Sequence, residues 1–123
     1  MSRIRKHFKS YVYAVRGILI AFKYESNFVV HFIAAVAVLT VNVLLNIDRT
    51  AWLITLILIG LAWTAEIFNT AIEKLADRVN LEHDPLIGDV KDLASGAVLT
   101  ISCFAVICAV IIYLPYLVKL FAH

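Results

Sequence analysis

Glu66, Asn69, Glu73 and Asp77 stand at positions i, i+3, i+7 and i+11 of one stretch. On a helix, Glu66, Glu73 and Asp77 point within about 20° of a common direction, with the Asn69 amide about 60° to the side. Three carboxylates and an amide on one face can accept a proton or hold a divalent cation through oxygen ligands. Glu66 is the deepest member, about three turns inside Asp77 and two turns inside Glu73. Glu25 lies far upstream at a depth matching Glu73, so the two carboxylates could share a divalent cation. A cation and a carboxylate, Lys91-Asp92, close the polar segment Asn80 to Asp92, which reads as a loop. There the lysine could bind a phosphate and the aspartate orient it. The bland alternatives are an ion pair of Glu66 with Lys74 or Arg78, a helix–helix hydrogen bond, and a merely solvated loop. His31, on an apolar face, reads as a helix-packing hydrogen-bond donor rather than a ligand.

The elements that must position these residues are set by hydropathy. The 123 residues are 63% hydrophobic and 16% charged, against about 25% charged in a soluble domain. So little charge cannot cover a water-facing surface, and lipid is the natural solvent. Three apolar runs, 28–46, 51–73 and 93–118, each have close to the roughly 20 residues that an α-helix needs to cross a bilayer. In lipid the backbone must bond to itself, so the runs should be helices. The fold class expected is therefore an all-α membrane protein of one domain, with three transmembrane helices. Small residues (Ala34, Ala35, Gly60, Ala62, Ala94, Ser95, Gly96, Ala97) suit close helix approach.

Segment 1–24 differs. Ile4, Phe8, Tyr11, Val15, Ile18 and Phe22 make an apolar stripe at helical spacing. Arg5, Lys9, Arg16 and Lys23 make a basic one roughly a third of a turn away or less. This pattern suits an amphipathic helix in the membrane interface, the alternative being a soluble helix packed on a core. Lys and Arg cluster before the first run and, as Lys74, Arg78 and Lys91, between the second and third. The positive-inside rule then puts the N-terminus and the second connection in the cytoplasm, with Trp52, Tyr113 and Tyr116 as interfacial anchors opposite. Asn46 to Thr50 reads as a tight solvated turn. Cys103 and Cys108, five apart, read as packing residues rather than a disulfide. No cleaved signal peptide, P-loop, dinucleotide fingerprint or nucleophile elbow is present, and a net charge of +2 gives no reason to invoke nucleic acid.

The string Glu66-Ile-Phe-Asn69-Thr-Ala-Ile-Glu73, followed by Asp77, Glu82, Pro85 and Lys91-Asp92-Leu-Ala-Ser-Gly-Ala-Val, resembles the bacterial diacylglycerol kinase/undecaprenol kinase family. Ala21-Phe-Lys-Tyr-Glu25-Ser-Asn27-Phe-Val-Val-His31 fits the same family, and the resemblance runs from about Tyr13 to Val110. It implies an integral kinase of the bacterial inner membrane that moves the γ-phosphoryl group of ATP to a lipid hydroxyl. It further implies a homotrimer with shared active sites. By resemblance Glu66 is the catalytic base and Asn69 supports the catalytic centre. Glu25 and Glu73 hold Mg²⁺, and Tyr13, Asp77, Glu82, Lys91 and Asp92 contact the nucleotide. Asp84 stands where many members carry a nucleotide-contacting histidine. The stretch Phe22-Lys23-x-Glu25-x-Asn27-Phe28-x-x-His31 looks more like the undecaprenol than the diacylglycerol branch. The rival readings are an ion or proton transporter subunit using the Glu/Asn stripe, and a non-catalytic scaffold. A nucleotide site needs Glu82 and Lys91-Asp92, whereas an ion path does not.

Overall fold

The computed structural model describes residues 2–79 and 84–122. Four helices account for nearly all of them: α1 (Arg3–Tyr24), α2 (Ser26–Leu44), α3 (Arg49–Val79) and α4 (Pro85–Phe121). The last three are long and apolar enough to cross a membrane. α3 is the spine: α4 packs along it most extensively, α2 packs on it less, and α1 touches both α2 and α3.

α1 and α2 are separated by a single non-helical residue. Glu25 is in extended conformation, and its N–H still donates to the Ala21 carbonyl. One break therefore turns the chain from the amphipathic helix into the first apolar one. The corner is held by aromatic rings. Phe22 of α1 meets Phe28 and Phe32 of α2 edge-on, at centroid distances of 4.7 and 5.1 Å. Phe28 and Phe32 in turn lie 5.6 and 5.7 Å from Trp63 of α3. Each such pair adds about 0.5–1.5 kcal/mol beyond area burial, and together they tie three helices at one level.

The turn after α2 is compact, as its polar composition implies. Asn46 takes the left-handed conformation (φ 49°), which Asn tolerates better than most residues. The Asp48 carboxylate accepts from the Ala51 N–H at 2.8 Å and so caps α3. Ile47 is buried, so the turn is not wholly solvated.

The helices run on past the apolar stretches at the end carrying Lys74, Arg78 and Lys91. α3 continues six residues past position 73, and α4 begins at Pro85. The loop expected through Asp92 therefore ends at Asp84, and Lys91 and Asp92 lie on a helix. The reason is local. The Asp84 carboxylate accepts from the Leu86 N–H at 2.9 Å, and Pro85 occupies the first turn, where a missing N–H costs nothing.

At the opposite end a second polar cluster joins the helices. Asn42, fully buried on α2, donates to Thr55 of α3 at 2.8 Å and accepts from the Tyr113 hydroxyl of α4. Thr55 donates onward to the Trp52 carbonyl at 3.0 Å. Tyr113, expected as an interfacial anchor, instead turns its hydroxyl inward, because an amide in hydrocarbon needs partners. Both cysteines are free, and Cys103 is exposed rather than packed within the chain. Replacing Asn42 with Ala should lower the free energy of unfolding in detergent micelles by about 1 kcal/mol, the scale of interhelical hydrogen bonds in membranes. Exposed Val43→Ala should change it much less. An SDS titration followed by circular dichroism reads the difference.

Candidate functional site

Midway along α3 the helix turns three polar side chains toward its neighbours at i, i+3 and i+6: Trp63, Glu66 and Asn69. Glu66 is 2% exposed and Asn69 7%. Such depth for a carboxylate on an apolar helix is the expectation drawn from the stripe, and the structure brings it about. Trp63 Nε1, Glu66 Oε2 and Asn69 Oδ1 are all buried with no hydrogen-bond partner among the described residues. The group nearest in charge is His31 of α2, whose Nε2 lies 3.9 Å from Glu66 Oε2. Among the described residues Glu66 pairs with neither Lys74 nor Arg78, so those two bland readings fall away.

Glu25 and Glu73 both act electrostatically on Glu66, which places the three carboxylates in one neighbourhood. Both are half-buried. Glu25 occupies the N-cap position of α2 but makes no side-chain cap bond, so its carboxylate is free for another ligand. The first turn of α2 favours its negative charge. Asp77 is exposed about one turn past Glu73 on α3. Lys91 of α4 donates to its Oδ1, an ion pair that joins the outer ends of α3 and α4. That hydrogen bond raises the Lys91 pKa above the ordinary lysine value, so the ammonium is charged throughout the working pH range.

The remaining expected positions are less converged. Tyr13 is exposed on α1, and Asp92 is exposed on α4. Asp84 spends one carboxylate oxygen on capping α4, a local reason for an aspartate there. Glu82 lies outside the described residues. Among those residues no cluster of three or more His, Cys, Asp or Glu side chains is arranged to hold a metal. Mg²⁺ does not require one. It commonly takes one or two carboxylates and completes its shell with phosphate oxygens and water. Glu25 and Glu73 fit that pattern.

Beside Trp63, α2, α3 and α4 line a half-open apolar cavity of about 130 Å³. His31 and Trp63 border it, Ala35, Ala62 and Ala109 contribute small walls, and Thr55 and Tyr113 also line it. Sequence reasoning passed over Trp63 and Asn42. The signal for Trp63 was its spacing of three before Glu66. For Asn42 it was an amide within an apolar run.

The sequence matches the profile of a family described as prokaryotic diacylglycerol kinase over residues 12–113. It is 38% identical to the undecaprenol kinase of Bacillus subtilis over 94% of both chains. It is 35% identical to a diacylglycerol kinase of Synechocystis over 90% of this chain and 64% of that one. With the Escherichia coli diacylglycerol kinase it shares 30% identity over 77% of this chain and 78% of that one.

The Lys91–Asp77 pair is solvent-exposed, and such pairs contribute little to stability. Lys91→Met should therefore leave the thermal midpoint in detergent unchanged while raising the KM for ATP at least several-fold. Melting curves and initial rates on the same preparation separate the two effects.

Proposed function

Because the chain belongs to the prokaryotic diacylglycerol kinase family, we propose that it phosphorylates a single-chain lipid alcohol of the undecaprenol kind, using Mg²⁺-ATP and Glu66 as the base. That it is a membrane lipid kinase, moving a phosphoryl group from ATP to a lipid, follows from the family. The acceptor, the metal and the residue roles are our reading.

The observation that carries it is the set of unpartnered buried atoms on α3. Glu66 Oε2 and Asn69 Oδ1 are acceptors and Trp63 Nε1 is a donor. A buried polar atom without a partner costs about 1–3 kcal/mol. A hydroxyl can donate its one proton to Glu66 Oε2 and accept from Trp63 Nε1, which would satisfy two of the three. The adjoining cavity is lined chiefly by Ala, Val, Leu and Ile side chains. It suits hydrocarbon, and offers few donors for the ester carbonyls of a diacylglycerol. The similarity to the Bacillus subtilis undecaprenol kinase over nearly all of both chains favours the same acceptor.

Phosphoryl transfer is mostly positioning and electrostatics. The Glu66 carboxylate accepts the hydroxyl proton as the alcohol oxygen attacks phosphorus. Trp63 Nε1 donates to the alcohol oxygen and holds it in line, and Asn69 supports the site beside it. Lys91, charged and braced by Asp77, meets the nucleotide's phosphates, with Asp92, Glu82, Asp84 and Tyr13 around the nucleotide. Glu25 and Glu73 would hold Mg²⁺, which neutralises phosphate charge when bound. The cationic end, with the N-terminus, faces the cytoplasm of a bacterial inner membrane, where ATP is. A transporter path has no support, because the family and the similar proteins are lipid kinases.

The active unit is a homotrimer with sites shared between subunits. In the single chain, a Cβ added at Gly60 or Gly96 would meet no heavy atom within 4 Å. Both glycines thus leave room for close approach by another helix. The apolar side chains of α4, such as Leu99, Phe104 and Ile107, are largely uncovered.

The experiment is transfer of labelled phosphate from ATP in mixed micelles, with undecaprenol and diacylglycerol side by side. The expected result is faster turnover of undecaprenol, with activity abolished by a chelator. Glu25→Gln and Glu73→Gln should each raise the Mg²⁺ requirement sharply or abolish turnover. Preference for diacylglycerol would reverse the acceptor assignment. Phosphorylation of neither would contradict the function.

A further inference from the structure

A base that is 2% exposed can take a proton more easily than it can lose one. Once Glu66 has accepted the hydroxyl proton, it must be emptied before the next turnover. The side chains bearing on it are few. Glu25, at the α1–α2 junction, and Glu73, on its own helix, act on it only through their charge. His31 reaches it from α2, and across the cavity α4 presents only the Tyr113 phenol as a titratable group. Glu25 and Glu73 are engaged by the metal in the reading above, and the Tyr113 hydroxyl is committed to Asn42. His31 is left. Its Nε2 is 3.9 Å from the very oxygen of Glu66 that has no partner, and its side chain is 24% exposed.

We propose that His31 is a proton relay and positioning residue for Glu66, aligning the carboxylate before transfer and carrying its proton away afterwards. The proposal rests on the assignment of Glu66 as base. The step balances. As the alcohol O–P bond forms, its O–H bond breaks and the proton goes to Glu66 Oε2, giving the neutral acid. The Glu66 O–H bond then breaks and an N–H bond forms at His31 Nε2, giving a carboxylate and an imidazolium. The imidazolium releases its Nδ1 proton to water. An imidazole suits this because it accepts at one nitrogen and releases at the other. The present separation is about 1 Å longer than an N···O hydrogen bond, a gap that small side-chain rotations close. With a neutral His31, the carboxylate's free oxygen points at a group able to take its proton. With an imidazolium, the two form an ion pair that holds the carboxylate in place.

The test compares His31→Gln and His31→Asn with the intact chain in mixed micelles, over pH 5.5–9. Both amides keep polarity and hydrogen bonding, and neither titrates. The expected result is a fall in kcat of roughly 100-fold or more, the scale of single acid–base contributions. The KM for ATP should stay within about twofold, and the shape of the kcat profile over this range should change. Imidazole added to a His31→Gly variant should restore part of the rate. A kcat and pH profile unchanged in the folded amide variants would overturn the relay. Equal losses in kcat and in ATP affinity, with the profile intact, would do the same, because they mark a structural defect. Glu66→Gln is measured alongside. If it keeps turnover, the base assignment fails; if it is inactive while His31→Gln is normal, only the relay fails.

Discussion

An ionisable carboxylate placed in hydrocarbon has to be enclosed by protein, and the enclosure of Glu66 is the constraint around which this chain is arranged. α3 carries it inside a helix whose composition otherwise suits lipid. A charge at bilayer depth costs several kcal/mol unless protein surrounds it. α2 supplies His31 and the aromatic rings that reach Trp63, one turn from Glu66. α1 is turned back over α2 by the single break at Glu25, and Phe22 fixes that corner. The same break delivers Glu25 to the neighbourhood of Glu66 and Glu73. One corner thus sets both the packing and the placement of Glu25.

The chain treats its buried polar groups in two ways, and the contrast separates structure from function. Asn42, Thr55 and Tyr113 satisfy one another across three helices. Hydroxyls elsewhere fold back on carbonyls of their own helix, as Thr64 does on Gly60 and Thr70 on Glu66. These are the means by which a membrane helix tolerates polarity. Trp63, Glu66 and Asn69 lack that completion. Among the described residues they are the buried side-chain atoms left without a partner, and the proposed acceptor site rests on them.

Much of this was legible in the sequence because lipid simplifies the code. Apolar runs of membrane-crossing length must be helices, and a carboxylate stripe on one of them is conspicuous, so Glu66, Asn69, Glu73 and Asp77 could be named from spacing alone. The stripe also predicted that Glu66 would be the buried end, as it is. What failed was local or tertiary. Asp84-Pro85 is a helix start, but in a charged segment it reads as more loop, which puts Lys91 off the helix. Tyr113 carries an aromatic ring near a helix end, the usual mark of an interfacial anchor. Only the position of Asn42, 71 residues away, decides that its hydroxyl turns inward. The pairing of His31 with Glu66 likewise depends on how α2 lies against α3, which no single-helix periodicity encodes.

The central claim is that a buried carboxylate on α3 takes the hydroxyl proton and has no part in holding the nucleotide. Single-turnover transfer of labelled phosphate in Glu66→Gln, with nucleotide binding measured separately on the same protein, tests it most directly. The amide keeps the shape and burial of the side chain but cannot accept the proton. The account predicts a loss of transfer of roughly 100-fold or more, with ATP binding close to that of the intact chain. Transfer at a near-normal rate in the folded variant would contradict it.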